Sequence, residues 1–308
     1  MKITRRELLV AAGGLPLAGV ALSNNPEIAV PAQFPFKSGF AATDIAYLDS
    51  GSQHPLSLGA ISAAQSYFAK RSLDPRAANY DRDDPGLLAK YAKLVNADVD
   101  EVAFVQSTTA GEHMILRALG LPESGGHVVS DTLHFFGSLP LYEEMALQGM
   151  EVSWVRDRDG RIELDDLRKA IRPGTKLVSL SLISTINGFQ HDLKAVCDIA
   201  HEAGALVYAD IIHAVGCVPV DLHASGVDFA STASYKWLMG DFGLGFLYAR
   251  KGIQAQLKRP CYGYYGMSAF QSYVYPFDPP GDKIVDYAFM DNATGFFAMG
   301  TRAHTVIA

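Results

Sequence analysis

The sequence predicts an α/β protein: a three-layer α/β/α domain with a mostly parallel sheet. Three observations carry this. Strand and helix patterns alternate from Glu101 to Ala249, which implies right-handed crossovers. The runs Ala205–Ala209 and Val227–Ala230 are apolar throughout, as strands buried on both faces are. Chemistry-bearing residues fall at or just past the carboxyl ends of the predicted strands, where such sheets hold ligands.

Tyr47–Gly51 is predicted as a short strand running into a glycine turn, followed by a helix from Leu58 to Lys70. Pro75 and Pro85 break residues 71–86 into a loop, and a helix then runs to Val95. The alternation follows: strand Glu101–Gln106, helix Thr109–Leu119, strand His127–Ser130, helix Phe136–Gln148, strand Glu151–Val155, helix Leu164–Ile171 and strand Lys176–Ile183. The helix Asp192–Ala203 has an apolar stripe at Leu193, Val196, Cys197 and Ala200, and Gly204 ends it. Gly240, Gly243 and Gly245 are predicted to turn the chain into an edge strand, Leu244–Ala249. After Lys251 the pattern loosens into segments rich in aromatics, Gly and Pro. Residues 1–23 are expected to be an export signal, 24–60 an N-terminal arm and 61–255 the large domain. Residues 256–308 form an interface segment and the start of a truncated C-terminal domain.

A net charge of -7 argues against a nucleic-acid protein, which would usually show a basic face. Cys197, Cys217 and Cys261 are scattered with no CxxC, which argues against a disulfide scaffold or a structural zinc site. Arg5 and Arg6 precede a short Gly/Ala/Leu run, the pattern of a twin-arginine (Tat) export signal and hence a periplasmic or exported protein. The run is too short and glycine-rich for a stable membrane span. The alternative is an ordinary basic amphipathic N-terminus on a cytoplasmic protein.

Asp210 ends one buried strand, and Ser234, Tyr235 and Lys236 follow the next. Apolar and aromatic neighbours partly desolvate Lys236, which favours a nucleophilic amine. A buried carboxylate needs a partner. Together they suit pyridoxal 5′-phosphate: the lysine forms a Schiff base and the acid keeps the pyridine nitrogen protonated. Ser107-Thr108-Thr109-Ala110-Gly111 lies between a strand and a helix, where hydroxyls and free amides make an anion site for the phosphate or simply cap the helix. The His134 ring could stack on the pyridine, and His213 could reach its phenolic oxygen. Asp210 with His213 could instead begin a metal site, though no further ligands have suitable spacing. A Walker A motif, a GxSxG elbow and HExxH are absent from the sequence.

These residues resemble the class V aminotransferase family of fold-type I pyridoxal phosphate enzymes, which includes cysteine desulfurases and isopenicillin N epimerase-like proteins. The resemblance rests on STTAG at 107–111, SLISTINGFQHDL at 181–193, ALVYADIIHAVG at 205–216, ASYKWLMG at 233–240 and MGTR at 299–302. It implies that Lys236 is the Schiff-base lysine and Asp210 the pyridine-nitrogen aspartate. Thr108 and Thr109 match the phosphate-binding pair, and His134 the stacking ring. Thr301 matches a threonine that reaches the partner subunit's phosphate, which implies a homodimer. Thr185 stands where the family often has Asn, with Asn187 close by. His213 stands where Gln is common, and Tyr235 where His is common. The chain stops before the family's small domain, with its substrate-binding arginine, and none of its three cysteines matches the desulfurase nucleophile. The expected activity is an aminotransferase or lyase acting on an amino acid or related amine. The alternatives are an epimerase, an exported binding protein that has lost turnover, and a metal hydrolase built on Asp210 and His213.

Overall fold

The computed structural model describes residues 37–41, 44–76, 84–273, 283–300 and 302–307. The signal at 1–23, the arm as far as residue 36, and Thr301 lie outside these residues. Apart from Lys37, the described residues belong to one compact unit, Ser38–Ala308.

Seven strands form one sheet: β1 (Val102–Val105), β2 (His127–Asp131), β3 (Glu151–Val155), β4 (Thr175–Ser181), β5 (Leu206–Asp210), β6 (Phe229–Ala233) and β7 (Gly245–Ala249). Their order is β1-β7-β6-β5-β4-β2-β3. β7 is antiparallel to both its neighbours, and every other pair is parallel. Four longer helices precede or connect the first strands: α1 (Leu58–Leu73), α2 (Asp84–Leu94), α3 (Thr108–Ala118) and α4 (Leu139–Leu147). Then come α5 (Leu164–Ala170), α6 (Leu193–Glu202) and the short turns α7 (Leu222–Ser225), α8 (Lys251–Gln254), α9 (Ala293–Phe297) and α10 (His304–Ile307).

Alternate residues of the central strands feed two cores. Val178, Leu180, Val207, Ala209 and Phe246 pack with α2, α5 and α6 on one face. Leu177, Tyr208, Phe229 and Leu247 pack with α3, α4 and α9 on the other. Tyr208 and Phe229 have no exposed surface, and burial of side chains this large contributes roughly 2 kcal/mol each. Local signals start the helices: Ser107 accepts from the Ala110 amide at 3.0 Å to cap α3, and Asp192 accepts from Ala195 at 3.0 Å to cap α6. At Gly111 the α3 helix comes so close to β6 that a Cβ would lie 2.7 Å from Ser231 Cβ. Only glycine permits that approach.

Four expectations need correction. Tyr47–Gly51 forms no strand: none of the described residues pairs with it as a ladder, and the Ser52 amide turns back to the Asp49 carbonyl at 3.0 Å. The α4 helix begins at Leu139 rather than Phe136, because Pro140 belongs in a first turn, where its missing N–H costs nothing. The strand expected over Val227–Ala230 is displaced to Phe229–Ala233, which places Ser234 directly at its end. β7 is an interior strand, not an edge, because it inserts between β1 and β6. The loosely patterned C-terminal segment also contains a two-stranded antiparallel ribbon, β8 (Met267–Ser272) with β9 (Val285–Phe289).

Candidate active site

Beyond β6 the chain closes a tight loop. Ser234 N donates to Leu244 O at 2.9 Å, Gly240 N to Ser234 O at 2.8 Å and Met239 N to Lys236 O at 3.0 Å. The Ser234 hydroxyl donates to Asp241 O at 2.8 Å, so it secures the loop. The Tyr235 ring stacks on Phe242 at 4.3 Å, and its carbonyl accepts from His54 N at 2.9 Å. Gly216, at φ +90°, lies under Trp237, where a Cβ would meet the backbone oxygen at 2.5 Å. Held on these sides, Lys236 is 8% exposed, with Nζ 3.1 Å from Nε2 of His213.

Burial lowers the Lys236 pKa, while Asp210 and Asp49 pull it back up. Burial, then the Lys236 charge, pushes His213 down to about 4. The imidazole is therefore neutral at pH 7 and can accept a hydrogen bond from the amine through Nε2. Asp210 is 3% exposed and sits at the end of β5, in register with Ser181 of β4 and Ser231 of β6. Burial raises its pKa to about 6, against the Ile212 amide, which donates to Oδ1 at 2.9 Å, and the His134 ring. The structure thus places amine and acid at one sheet edge, within electrostatic reach of each other.

The same edge contains Thr108, the first residue of α3. Its Oγ1 is buried and has no hydrogen-bond partner, the condition of a hydroxyl that awaits a ligand. Thr109 is exposed in the same turn. A nucleophilic amine, an acid that needs a cationic N–H and a free hydroxyl at a helix N-terminus are a donor set that fits pyridoxal phosphate. Other expected residues stand differently. Thr185 is exposed in its turn, and the Asn187 amide donates to Gly160 O at 2.7 Å. His134 lies near Asp210 but is fully enclosed, with Nδ1 2.8 Å from Ser181 Oγ and Nε2 3.2 Å from Ser179 Oγ. The metal pair does not form, since His213 Nε2 faces the lysine amine. The ligand atoms of Asp98, Glu101 and His223 do lie within 4.8 Å of one another. Glu101 is already bound there by His223 at 2.6 Å and by two backbone amides.

Sequence reasoning missed Glu112, Ser138, Tyr142, Ser179 and Ser181, which form a buried polar layer behind Asp210. The signal was present as two serines, Ser179 and Ser181, on one face of the mostly apolar end of a strand, Leu177-Val178-Ser179-Leu180-Ser181.

A pyridoxal-phosphate-type α/β architecture is therefore the class that fold and site define. Residues 69–275 match the aminotransferase class-V family, and the chain belongs to that family. Over 222 residues it is 29% identical to a probable cysteine desulfurase of Methanothermobacter thermautotrophicus, covering 70% of this chain and 55% of that protein. It is 30% identical over 168 residues to a cysteine desulfurase of Haloferax volcanii, covering 53% of this chain and 39% of the other. The chain thus spans about half the length, or less, of the curated relatives it matches. Among solved structures, an apo cysteine desulfurase from Thermococcus onnurineus superposes with a TM-score of 0.73 at 20% identity, over 88% of this chain and 67% of that one. The cystine C–S lyase C-DES, in complex with cysteine persulfide, gives 0.73 at 19% identity, over 89% and 71%. These superpositions establish the fold.

Proposed function

We propose that the chain is a pyridoxal-phosphate-dependent enzyme acting on an amino acid or related amine, of aminotransferase or lyase type. The observation that carries this is the buried Lys236 amine, 3.1 Å from a neutral His213 and within the field of buried Asp210. When bound, the cofactor supplies an aldehyde that condenses with amines and a ring that accepts electrons from a substrate α-carbon. Lys236 would hold the cofactor through its amine, and the same amine, when free, would be the base placed to take a proton from a substrate α-carbon. His213 accepts a hydrogen bond from that amine and holds it in place. Asp210, ionised, holds a proton at the ring nitrogen, and Thr108 offers its free hydroxyl to the phosphate.

Relatives named as desulfurases and a C–S lyase support a lyase acting at sulfur. Of the three cysteines, burial pushes the Cys197 thiol up to about 12 and also raises Cys261, while Cys217 is exposed. The homodimer implied by the resemblance is tested by light scattering. Export by the Tat route rests on Arg5-Arg6 and is tested by fractionating cells that carry Arg5→Lys/Arg6→Lys. Among the described residues no helix is long and apolar enough to cross a membrane.

The decisive experiment is absorbance of purified protein given pyridoxal phosphate, followed by borohydride reduction and peptide mapping. A visible band with the label on Lys236, lost in Lys236→Ala, supports the proposal. Absence of a band, or a label on another lysine, overturns it. A labelled protein whose spectrum does not respond to any amino acid would be the turnover-less binding protein instead.

A further inference from the structure

Among the described residues, the non-glycine positions with a left-handed backbone are Asn96 at φ +50°, Asp159 at φ +51° and Met239 at φ +60°. Asn and Asp tolerate this region because their short polar side chains bond locally. Methionine has no such means, so at Met239 the backbone bears the steric cost of its Cβ. Met239 closes the turn that starts at Lys236.

The loop shows what holds it there. Met239 N donates to Lys236 O at 3.0 Å, and the next amide, Gly240 N, reaches back to Ser234 O at 2.8 Å. Consecutive amides thus bond to carbonyls on either side of Tyr235, and the chain reverses between them at Met239. The glycine of the loop does not occupy the left-handed position. It serves a close approach instead, since a Cβ on Gly240 would lie 2.6 Å from Ser234 Oγ. Leu238 packs against the core, and Trp237 O lies over Gly216. The Met239 side chain is 44% exposed, so the backbone bonds, more than side-chain packing, keep the residue in this conformation.

We propose that Met239 is a positioning residue: its left-handed backbone locks the peptide that follows Lys236 and so aims the Lys236 amine at Nε2 of His213. Strained backbone that persists beside a reactive group points to a geometric requirement at that group. With an extended backbone at 239 the two amides lose one or both of their carbonyls, and the peptide after Lys236 is free to rotate. The amine then drifts from His213, 3.1 Å away, toward solvent. The titratable groups that face the amine are His213 and Asp210 from the end of β5 and beyond, and Asp49 from the segment before α1. Burial lowers the amine's pKa against both acids, so an amine released to water should titrate higher.

The inference rests on Lys236 as the cofactor's amine, but its test needs no cofactor. The full chain is labelled with 13C and 15N in lysine and 15N in histidine, Lys236→Ala and His213→Asn assign the signals, and both are followed across pH. Met239→Asn keeps the left-handed backbone at lower cost. Its melting temperature should rise by roughly 2 °C, with the Lys236 midpoint and the His213 signal unmoved. Met239→Val places a β-branched side chain where that backbone is least tolerated. There the Lys236 midpoint should move up toward the ordinary lysine value, and the His213 Nε2 signal should become that of a ring without the amine. Met239→Thr, also β-branched but polar, should shift both signals the same way and replaces the valine variant if that does not fold. A lower melting temperature or a shifted Lys236 midpoint in Met239→Asn overturns the proposal. So does a β-branched variant that melts lower yet leaves Lys236 and His213 unmoved, because the role is then structural only. Failure of pyridoxal phosphate to label Lys236 would sink the proposed function and leave these titrations standing.

Discussion

Two buried aspartates on neighbouring strands differ in what the chain gives them. Asp228, just before β6 at the amino edge of the sheet, has no exposed surface. Its carboxylate accepts from Val207 N at 2.8 Å and His201 Nε2 at 2.8 Å, and from Arg250 Nη2 at 2.5 Å and Nε at 3.1 Å. Asp210, at the carboxyl edge, receives the Ile212 amide at 2.9 Å, and burial raises its pKa to about 6. One acid is saturated by its own fold. Among the described residues the other has one hydrogen-bond donor, that amide, and its charged neighbours do not offset its burial. Incomplete satisfaction of a buried charge marks the functional edge more clearly than burial does.

Breaking the saturated acid should have the largest effect on stability. Asp228→Ala strands Arg250, His201 and the Val207 amide, and should cost about 3 kcal/mol. That is the low end for a buried pair, because Arg250 is 39% exposed. Chemical denaturation measures this, and cofactor loading per folded molecule should be retained.

Asp210→Asn should behave in the opposite way. A folded-state pKa near 6 against 3.8 means the charge costs the fold about 3 kcal/mol at pH 7. The variant's cofactor-free melting temperature should therefore be no lower than wild type, while cofactor loading is lost. The pH dependence has a definite sign. The folded chain takes up this proton near pH 6 and the unfolded chain only near 3.8, so the group's burial cost is relieved as pH falls through about 6. Cofactor affinity should weaken over that same interval, and equilibrium dialysis from pH 8 to 5 checks it.

Gly111→Ala should sharpen the comparison by moving α3 off β6, at a cost of about 2 kcal/mol. Cofactor loading should fall, because Thr108 and Glu112 move with that helix; thermal melts and absorbance read the two effects. Least affected should be Lys194→Ala, which removes an exposed i,i+4 pair with Asp198 and should leave the melting temperature unchanged.

Asp210 and Lys236 were legible because one ends an apolar run and the other follows a second within a few residues, a local pattern that needs no knowledge of the fold. The strand and helix alternation was legible for the same reason, and the helix ends followed from caps such as Ser107 and Asp192. The position of β7 was not, because glycines before a strand say nothing about which strands lie on either side of it. Glu112 was missed because its partners Ser138, Tyr142 and Ser179 lie 26, 30 and 67 residues away in sequence. A lone acid on a helix pattern reads as a solvated face until the sheet beneath it is known.

The insertion of β7 has a consequence for how the chain is made. Among the described residues β1 hydrogen-bonds to no strand except β7, which follows it by some 140 residues. During synthesis Val102–Val105 must wait for nearly the whole sheet to emerge before its backbone is paired. Closing so long a loop is slow. The helix start that carries Thr108 is therefore among the last parts to be anchored, and a ribosome stalled before Gly245 would display the lysine loop with its phosphate-side wall still unassembled.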